Sequence, residues 1–248
     1  MTGSEYLNMA DERNTVIKLV MFDLAGTTVD DNIQGIPLVI VAMKETFNKH
    51  GFKIEPETVN KYRGLEKKDA IRGIIKNELC PDSSSSIDVE VLFKDFKDFL
   101  RKHLSSIKDE IPGTSEVFRQ LKSRGLKIAV GSGFPHSVVE SIISMLQWQD
   151  LVDCICSAEK VGKGRPHPAM IQEAMKCFGV TDPRSVVKVG DTKADIDEGK
   201  NAGCWTVAVL TGTQTVECLR ENNPDFIINS VKELPNLLST ATFFKTLI

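Results

Sequence analysis

Apolar residues fall in short unbroken runs, separated by longer stretches in which they recur every three or four positions. The first run, Val16 to Asp23 (VIKLVMFD), ends in a carboxylate. A continuous run of this kind suits a strand of a parallel sheet covered on both faces. Five further runs repeat it, at 127–131, 152–156, 186–190, 205–210 and 225–228. Helix-spaced segments lie between and after them, at 114–124, 135–147, 167–179, 193–202, 214–222 and 230–238. Strands alternating with helices predict an α/β fold with a Rossmann-like parallel sheet core.

Residues 34–110 break this rhythm. They show no strand pattern and read as helices at 36–50, 56–62, 67–79 and 88–106, with Cys80-Pro81-Asp82 and Ser83 to Ser86 as a loop. The expected organisation is a polar N-terminal tail (1–14), an α/β core (15–33 and 111–248) and an inserted α-helical cap (34–110). An insert that follows Asp23 so closely is placed to act as a lid over the end of the first strand. Ile36 to Met43 is apolar nearly all round, so the helix there must be buried. Packing within the cap and a homodimer interface through 36–48 both satisfy that requirement.

Composition narrows the class without naming a chemistry. The 248 residues include 31 basic and 34 acidic ones, a formal net charge of −3, and 41% are hydrophobic. Such a chain is too apolar for disorder. It is too balanced in charge to wrap nucleic acid or coat an anionic membrane. The longest apolar run, Ile36 to Met43, is far too short to span a bilayer, and residues 1–14 lack the features of a secretory signal. The six cysteines, Cys80, Cys154, Cys156, Cys177, Cys204 and Cys218, form no CxxC and have no His partner at metal spacing. Cys154 and Cys156 alternate on what reads as one strand face. Reduced, structural thiols in a cytoplasmic protein are expected.

Candidate chemistry gathers where the strands end, which is where open parallel sheets bind ligands. The first strand runs into Asp23-Leu24-Ala25-Gly26-Thr27-Thr28, a second ends Gly131-Ser132-Gly133, and a later one ends Gly190-Asp191-Thr192 with Asp195 one helical turn on. Between the last two lies Lys163-Gly164-Arg165-Pro166-His167. This set suits phosphoryl transfer. Asp23 and Asp191 are hard oxygen ligands for Mg²⁺, and Asp23 is also a candidate nucleophile toward phosphorus. Ser132, the Gly133 N–H, and either Lys163 or Arg165 would hold phosphoryl oxygens, and Ala25-Gly26 let backbone approach closely.

In their order and placement, Asp23-x-Ala25-Gly26-Thr27, Gly131-Ser132-Gly133, Gly164-Arg165-Pro166 and Gly190-Asp191-Thr192-x-x-Asp195 resemble the motifs of the haloacid dehalogenase superfamily. The stretch from Lys188 to Val209 is most similar to the phosphonatase branch. The resemblance implies Mg²⁺ bound by Asp23, the Ala25 carbonyl and Asp191. It implies phosphoryl contacts from Ser132 and Arg165, with Lys163, Thr192 and Asp195 in support. Phosphatases of the superfamily carry a second acid where Ala25 stands, and alanine cannot transfer a proton. Phosphonatases instead use a cap lysine that forms an imine with the substrate aldehyde. The segment Arg63 to Arg72 resembles that cap segment and puts Lys67 at the lysine. Three positions depart from the branch pattern: Arg63 stands for Met, Ala70 for His and Ile33 for Cys. Arg63 is a candidate for binding a second anionic group. The implied activity is carbon–phosphorus cleavage of phosphonoacetaldehyde or a related small phosphonate, through an aspartyl phosphate and a lysine imine. Action on a small phosphate ester is the alternative, and non-catalytic binding of a metabolite a further one.

Overall fold

Six strands build one parallel sheet in the computed structural model, which describes residues 16–79 and 88–240. They are β1 (Leu19–Phe22), β2 (Lys127–Ser132), β3 (Cys154–Ser157), β4 (Val186–Gly190), β5 (Trp205–Val209) and β6 (Phe226–Ile228), in the spatial order β6-β5-β4-β1-β2-β3. This is the doubly wound order, and the switch of direction falls between β1 and β4. Every residue of β1 and β4 is buried, as expected of strands covered on both faces. Phe22 is in register with Val130 on one side and Val189 on the other. Asp23, Ser132 and Asp191 therefore leave the sheet along the same rim.

Between β1 and β2 the described residues include the α-helices α1 (Leu38–Lys49), α2 (Pro56–Lys61), α3 (Lys67–Ile74) and α4 (Val89–Leu104). Apolar positions Leu92, Phe96 and Leu100 line one face of α4 at helical spacing and are buried. Two ionic ties flank the α1–α4 contact. Asp95 pairs with Lys49 and His50, each at 2.7 Å, and Glu45 pairs with His103 at 2.7 Å and Lys102 at 3.2 Å. The apolar residues Leu38, Val39, Ile40, Met43 and Phe47 of α1 are buried within this single chain.

The core helices are α5 (Thr114–Ser123), α6 (His136–Met145), α7 (Ala158–Val161), α8 (Ala169–Cys177), α9 (Lys193–Ala202), α10 (Val216–Glu221) and α11 (Leu234–Leu237). The structure departs from the expected pattern in detail. The helix expected over 67–79 is α-helical only to Ile74 and continues as a π-helix at Ile75–Leu79. The Tyr62 hydroxyl donates to the Gly73 carbonyl at 3.1 Å, the acceptor that an α-helix would offer to Asn77. Two short antiparallel pairs, Val29–Asp30 with Asp109–Glu110 and Asn32–Ile33 with Ile36–Pro37, were too brief to leave an alternation. The first ties together the two connections that join α1–α4 to the sheet. Residues 1–14, the expected tail, and the expected loop from Cys80 to Ser86 lie outside the described residues.

An aromatic chain anchors β1 from below the rim. Phe22 meets Phe118 of α5 at 5.0 Å between centroids, and Phe118 meets Trp148 edge-on at 5.1 Å. The Trp148 indole N–H donates to Ser115 at 2.9 Å, which satisfies the one polar atom of a fully buried ring. Phe118→Ala is expected to cost about 3–5 kcal/mol, read as a lowered urea midpoint with little change in the slope of the transition.

Candidate active site

Arg165 is the centre of the rim. Its guanidinium is buried, with Nη2 2.9 Å from Asp23 Oδ1 and donating to the Gly131 carbonyl at 2.6 Å. Nε donates to Glu198 at 2.8 Å and lies 3.2 Å from Asp195 Oδ1. Nη1 donates to the Gly64 carbonyl at 3.2 Å, on the segment between α2 and α3. One side chain thus touches β2, α9, the residue after β1 and the helical segment above them. Lys188, buried in β4, adds a second cation 2.9 Å from Asp195 and 3.3 Å from Glu198. Asp195 and Thr192 close a reciprocal capping box at the start of α9, which fixes both side chains. Against burial, Arg165 and Lys188 hold the Asp195 carboxyl below its ordinary value.

Asp23 and Asp191 sit side by side across the switch point. Asp23 N–H donates to Val189 O at 2.9 Å, and Thr27 Oγ1 donates to Asp191 Oδ1 at 3.0 Å. Asp191 Oδ2 is buried with no hydrogen-bond partner. Burial and the neighbouring carboxylates, opposed by Arg63, push the Asp191 carboxyl up to about 7. Oxygens of Asp23, Asp191 and Asp195 lie within 4.8 Å of one another. Gly26 and Gly212 leave room for the Asp191 carboxylate, since a Cβ at Gly26 would come within 2.9 Å of Oδ2 and one at Gly212 would overlap it. An orphaned buried oxygen, a second carboxylate and a cradle with no side chains are the donor set a hard divalent cation takes. The residues present fit Mg²⁺, which Asp23 and Asp191 could hold through their carboxylates.

The segment from Arg63 to Lys67 lies directly on the rim. Lys67 is buried; its Nζ donates to the Leu65 carbonyl at 3.1 Å and stands 5.4 Å from the centre of the Phe134 ring. Burial above all, together with Arg165 and Arg63 and against Asp23, lowers its amine to about 8. Arg63 is buried as well and spans 3.3 Å to both the Ala25 carbonyl and Asp31 Oδ1, while its Nη1 has no partner. Glycine makes the close approach possible: a Cβ at Gly133 would sit 2.5 Å from the Leu65 carbonyl, and one at Gly164 would overlap Glu66. Asp23, Ala25, Arg63, Lys67, Ser132, Gly133, Arg165 and Thr192 line one shared cavity with about 20 Å³ of free space, room for about one water. Ser132 Oγ accepts the Phe134 N–H at 3.1 Å, which leaves its own proton free to donate.

Most sequence-derived candidates meet here, and one does not. Lys163 is exposed, with Nζ 3.4 Å from His167 Nε2, on the wall of an outer cleft of about 630 Å³ between α3, α4 and residues 158–167. Of the two cations that the residue pattern left open, Arg165 is the one inside. Three members were not anticipated: Lys188, Glu198 and Asp31. A lysine inside the apolar run 186–189 and a glutamate three positions after Asp195 on the same helix face were the available signals.

Comparison with known proteins agrees with this geometry. Residues 20–209 match the family model for haloacid dehalogenase-like hydrolases. The chain is 29% identical to a phosphonoacetaldehyde hydrolase of Bacillus cereus, across 90% of this chain and 95% of that protein. It is 32% identical to the phosphonoacetaldehyde hydrolase of a second Bacillus cereus strain, across 79% and 77% respectively. The phosphonoacetaldehyde hydrolase-like protein of Oleispira antarctica has the same fold, with a TM-score of 0.79 at 22% identity over 93% of this chain and 94% of that one.

Millimolar Mg²⁺ is expected to raise the thermal midpoint, the gain reaching about 2.7 kcal/mol at a hundred times Kd. In Asp191→Asn the Mg²⁺-dependent rise should vanish while the metal-free midpoint holds, because the Thr27 hydrogen bond survives and an unpaired buried charge is removed. Differential scanning calorimetry with and without Mg²⁺ reads both effects.

Proposed function

Because the chain belongs to the haloacid dehalogenase-like hydrolase family, on its phosphonatase-like branch, we propose that it is a Mg²⁺-dependent hydrolase that breaks the carbon–phosphorus bond of phosphonoacetaldehyde or a closely related phosphonate aldehyde. The observation that carries this reading is Lys67: a buried amine, lowered to about 8, lining the same cavity as Asp23 and Ala25. A phosphatase of this family needs an acid at position 25 to protonate its leaving group, and alanine has none. A lysine imine removes that need, since it takes up the electrons that the broken bond leaves on carbon.

The reaction begins with the neutral Lys67 amine, which adds to the aldehyde; the adduct loses water to give an imine, which takes up a proton from solvent. The Asp23 carboxylate attacks phosphorus; the carbon–phosphorus bond breaks, and its electron pair passes into the imine to give an enamine. Protonation at carbon and hydrolysis then release acetaldehyde and restore Lys67, and water cleaves the aspartyl phosphate to inorganic phosphate. Arg165 and the Ser132 hydroxyl hold the phosphoryl oxygens, with the Gly133 N–H beside them. Thr192 and Asp195 keep α9 and Arg165 in position. Mg²⁺, held by Asp23, Asp191 and the Ala25 carbonyl, supplies positive charge against the phosphoryl group when bound.

About 20 Å³ does not admit a phosphonate, so residues 34–110 act as a cap whose 63–67 segment lifts to let substrate in. The outer cleft is the route, with Lys94, Lys97 and Lys163 on its walls among Glu66, Asp69, Glu90 and Glu159. Arg63, where the branch pattern has Met, turns its unpartnered Nη1 to a second polar or anionic group on the substrate. The cytoplasm remains the expected compartment, and no helix among the described residues is long and apolar enough to cross a membrane. For a homodimer through 36–48, α1 leaves a partner only the edge with exposed Ile36 and half-buried Val41. That part of the proposal rests on the resemblance.

Borohydride added during turnover of phosphonoacetaldehyde should leave a reduced adduct on Lys67, located by peptide mass spectrometry. Lys67→Ala should lose the adduct and at least about 10⁴-fold in turnover, the scale on which loss of a covalent catalyst falls. The amine is reactive when neutral, so the trapping rate should climb about tenfold per pH unit below 8 and level off above it, rather than climbing to the ordinary lysine range. Undiminished turnover in Lys67→Ala, with phosphate released from phosphate esters instead, would replace this reading with a phosphatase.

A further inference from the structure

The cysteines are scattered in sequence, yet the fold gathers three of them away from the candidate active site. Cys154 and Cys156 project from one face of the edge strand β3, with Sγ atoms 3.7 Å apart. Cys177, the last residue of α8, brings its Sγ to 3.5 Å from that of Cys154. Access is graded across the group: Cys156 is buried, Cys154 half-buried and Cys177 exposed. Hydrogen bonding with Cys156, working against burial, lowers the Cys154 thiol to about 6, while the Cys156 and Cys177 thiols are raised. Lys160 favours the Cys154 thiolate and Glu173 opposes it.

We propose that Cys154 and Cys177 form a reversible dithiol–disulfide centre oxidised by hydrogen peroxide or a similar small hydroperoxide, with Cys156 as the neighbour that keeps Cys154 reactive. The pairing follows from backbone geometry. Two positions apart on one strand, Cys154 and Cys156 carry parallel side chains about 6.6 Å apart at the backbone. A disulfide needs Cβ atoms about 3.5–4.5 Å apart. Cys177 comes from a different element and meets Cys154 from across the strand–helix interface. A three-thiolate metal site is not offered instead: among the described residues, the ligand atoms of three acidic or thiol groups converge within 4.8 Å only at Asp23, Asp191 and Asp195.

The chemistry balances. The Cys154 thiolate attacks one peroxide oxygen, the O–O bond breaks, and Cys154 becomes a sulfenic acid while hydroxide leaves and is protonated. The Cys177 sulfur then attacks the Cys154 sulfur, giving up its proton, and the sulfenic oxygen departs as water. Two thiols and one peroxide give one disulfide and two waters. Exposed Cys177 is the sulfur at which a solution thiol attacks to reverse the step. The bond would staple the end of α8 to the start of β3, at the opposite end of that strand from the rim that carries Ser132, so hydrolysis should survive oxidation.

The test treats the full-length protein with equimolar hydrogen peroxide, alkylates it and maps peptides without reduction. A Cys154–Cys177 cross-link that dithiothreitol reverses is expected. Cys177→Ser should instead accumulate sulfenic acid on Cys154, captured by dimedone, and Cys156→Ala should slow cross-linking several-fold with the circular dichroism spectrum unchanged. The proposal is overturned if the wild-type chain keeps both thiols free, if Cys177 goes to sulfinic acid without a cross-link, or if Cys177 links only between chains.

Discussion

The buried guanidinium of Arg165 ties the active rim together. It contacts the carboxylates of Asp23, Asp195 and Glu198 and the backbone of Gly64 and Gly131. Five contacts from one planar fork fix angles as well as distances, which a lysine ammonium would not do. A buried ion pair of this kind is weak ground for claiming stability, because desolvation offsets most of the attraction. Its value here is placement: Asp23 cannot drift from β2, and α9 cannot slide along β4, without leaving a charge buried and unpaired.

Charge is unevenly matched around that knot. Four buried cations, Arg63, Lys67, Arg165 and Lys188, face five buried carboxylates, Asp23, Asp31, Asp191, Asp195 and Glu198. Asp195 and Glu198 are matched by Arg165 and Lys188, and Asp31 by Arg63. Asp191 is left with a hydroxyl and one unpartnered oxygen. The deficit sits beside Asp23 rather than being spread over the rim. A divalent cation there would offset it.

The sequence made the rim legible because strand ends are where patterning is sharpest. Asp23, Ser132 and Asp191 each follow a continuous apolar run, and Arg165 stands in a Gly-Arg-Pro turn. Lys188 was hidden by its own setting, since one lysine in a run of valines still reads as a strand. Its role depends on Asp195 and Glu198 projecting from α9 onto β4, a docking that no local pattern encodes. Asp31 was hidden in the same way, because its partner Arg63 is 32 positions away. Helix ends were legible to within a few residues, but the π-helix at Ile75–Leu79 was not; it goes with a tertiary contact, the Tyr62 hydroxyl on the Gly73 carbonyl, that no local pattern encodes. The thiol trio needed β3 and α8 placed together before its members became neighbours.

Arg63 is buried without being fully satisfied. Its Nη2 bridges the Ala25 carbonyl and Asp31 at 3.3 Å to each, long for a charge-assisted hydrogen bond, and its Nη1 is unsatisfied. Asp31 also keeps one oxygen without a partner, and burial raises its carboxyl despite the facing guanidinium. A methionine at position 63 would leave the Ala25 carbonyl free at no electrostatic cost, whereas arginine puts a cation on an oxygen that the metal would also use. An Mg²⁺ ion that took the Ala25 carbonyl as a ligand would therefore compete with Arg63 for that oxygen.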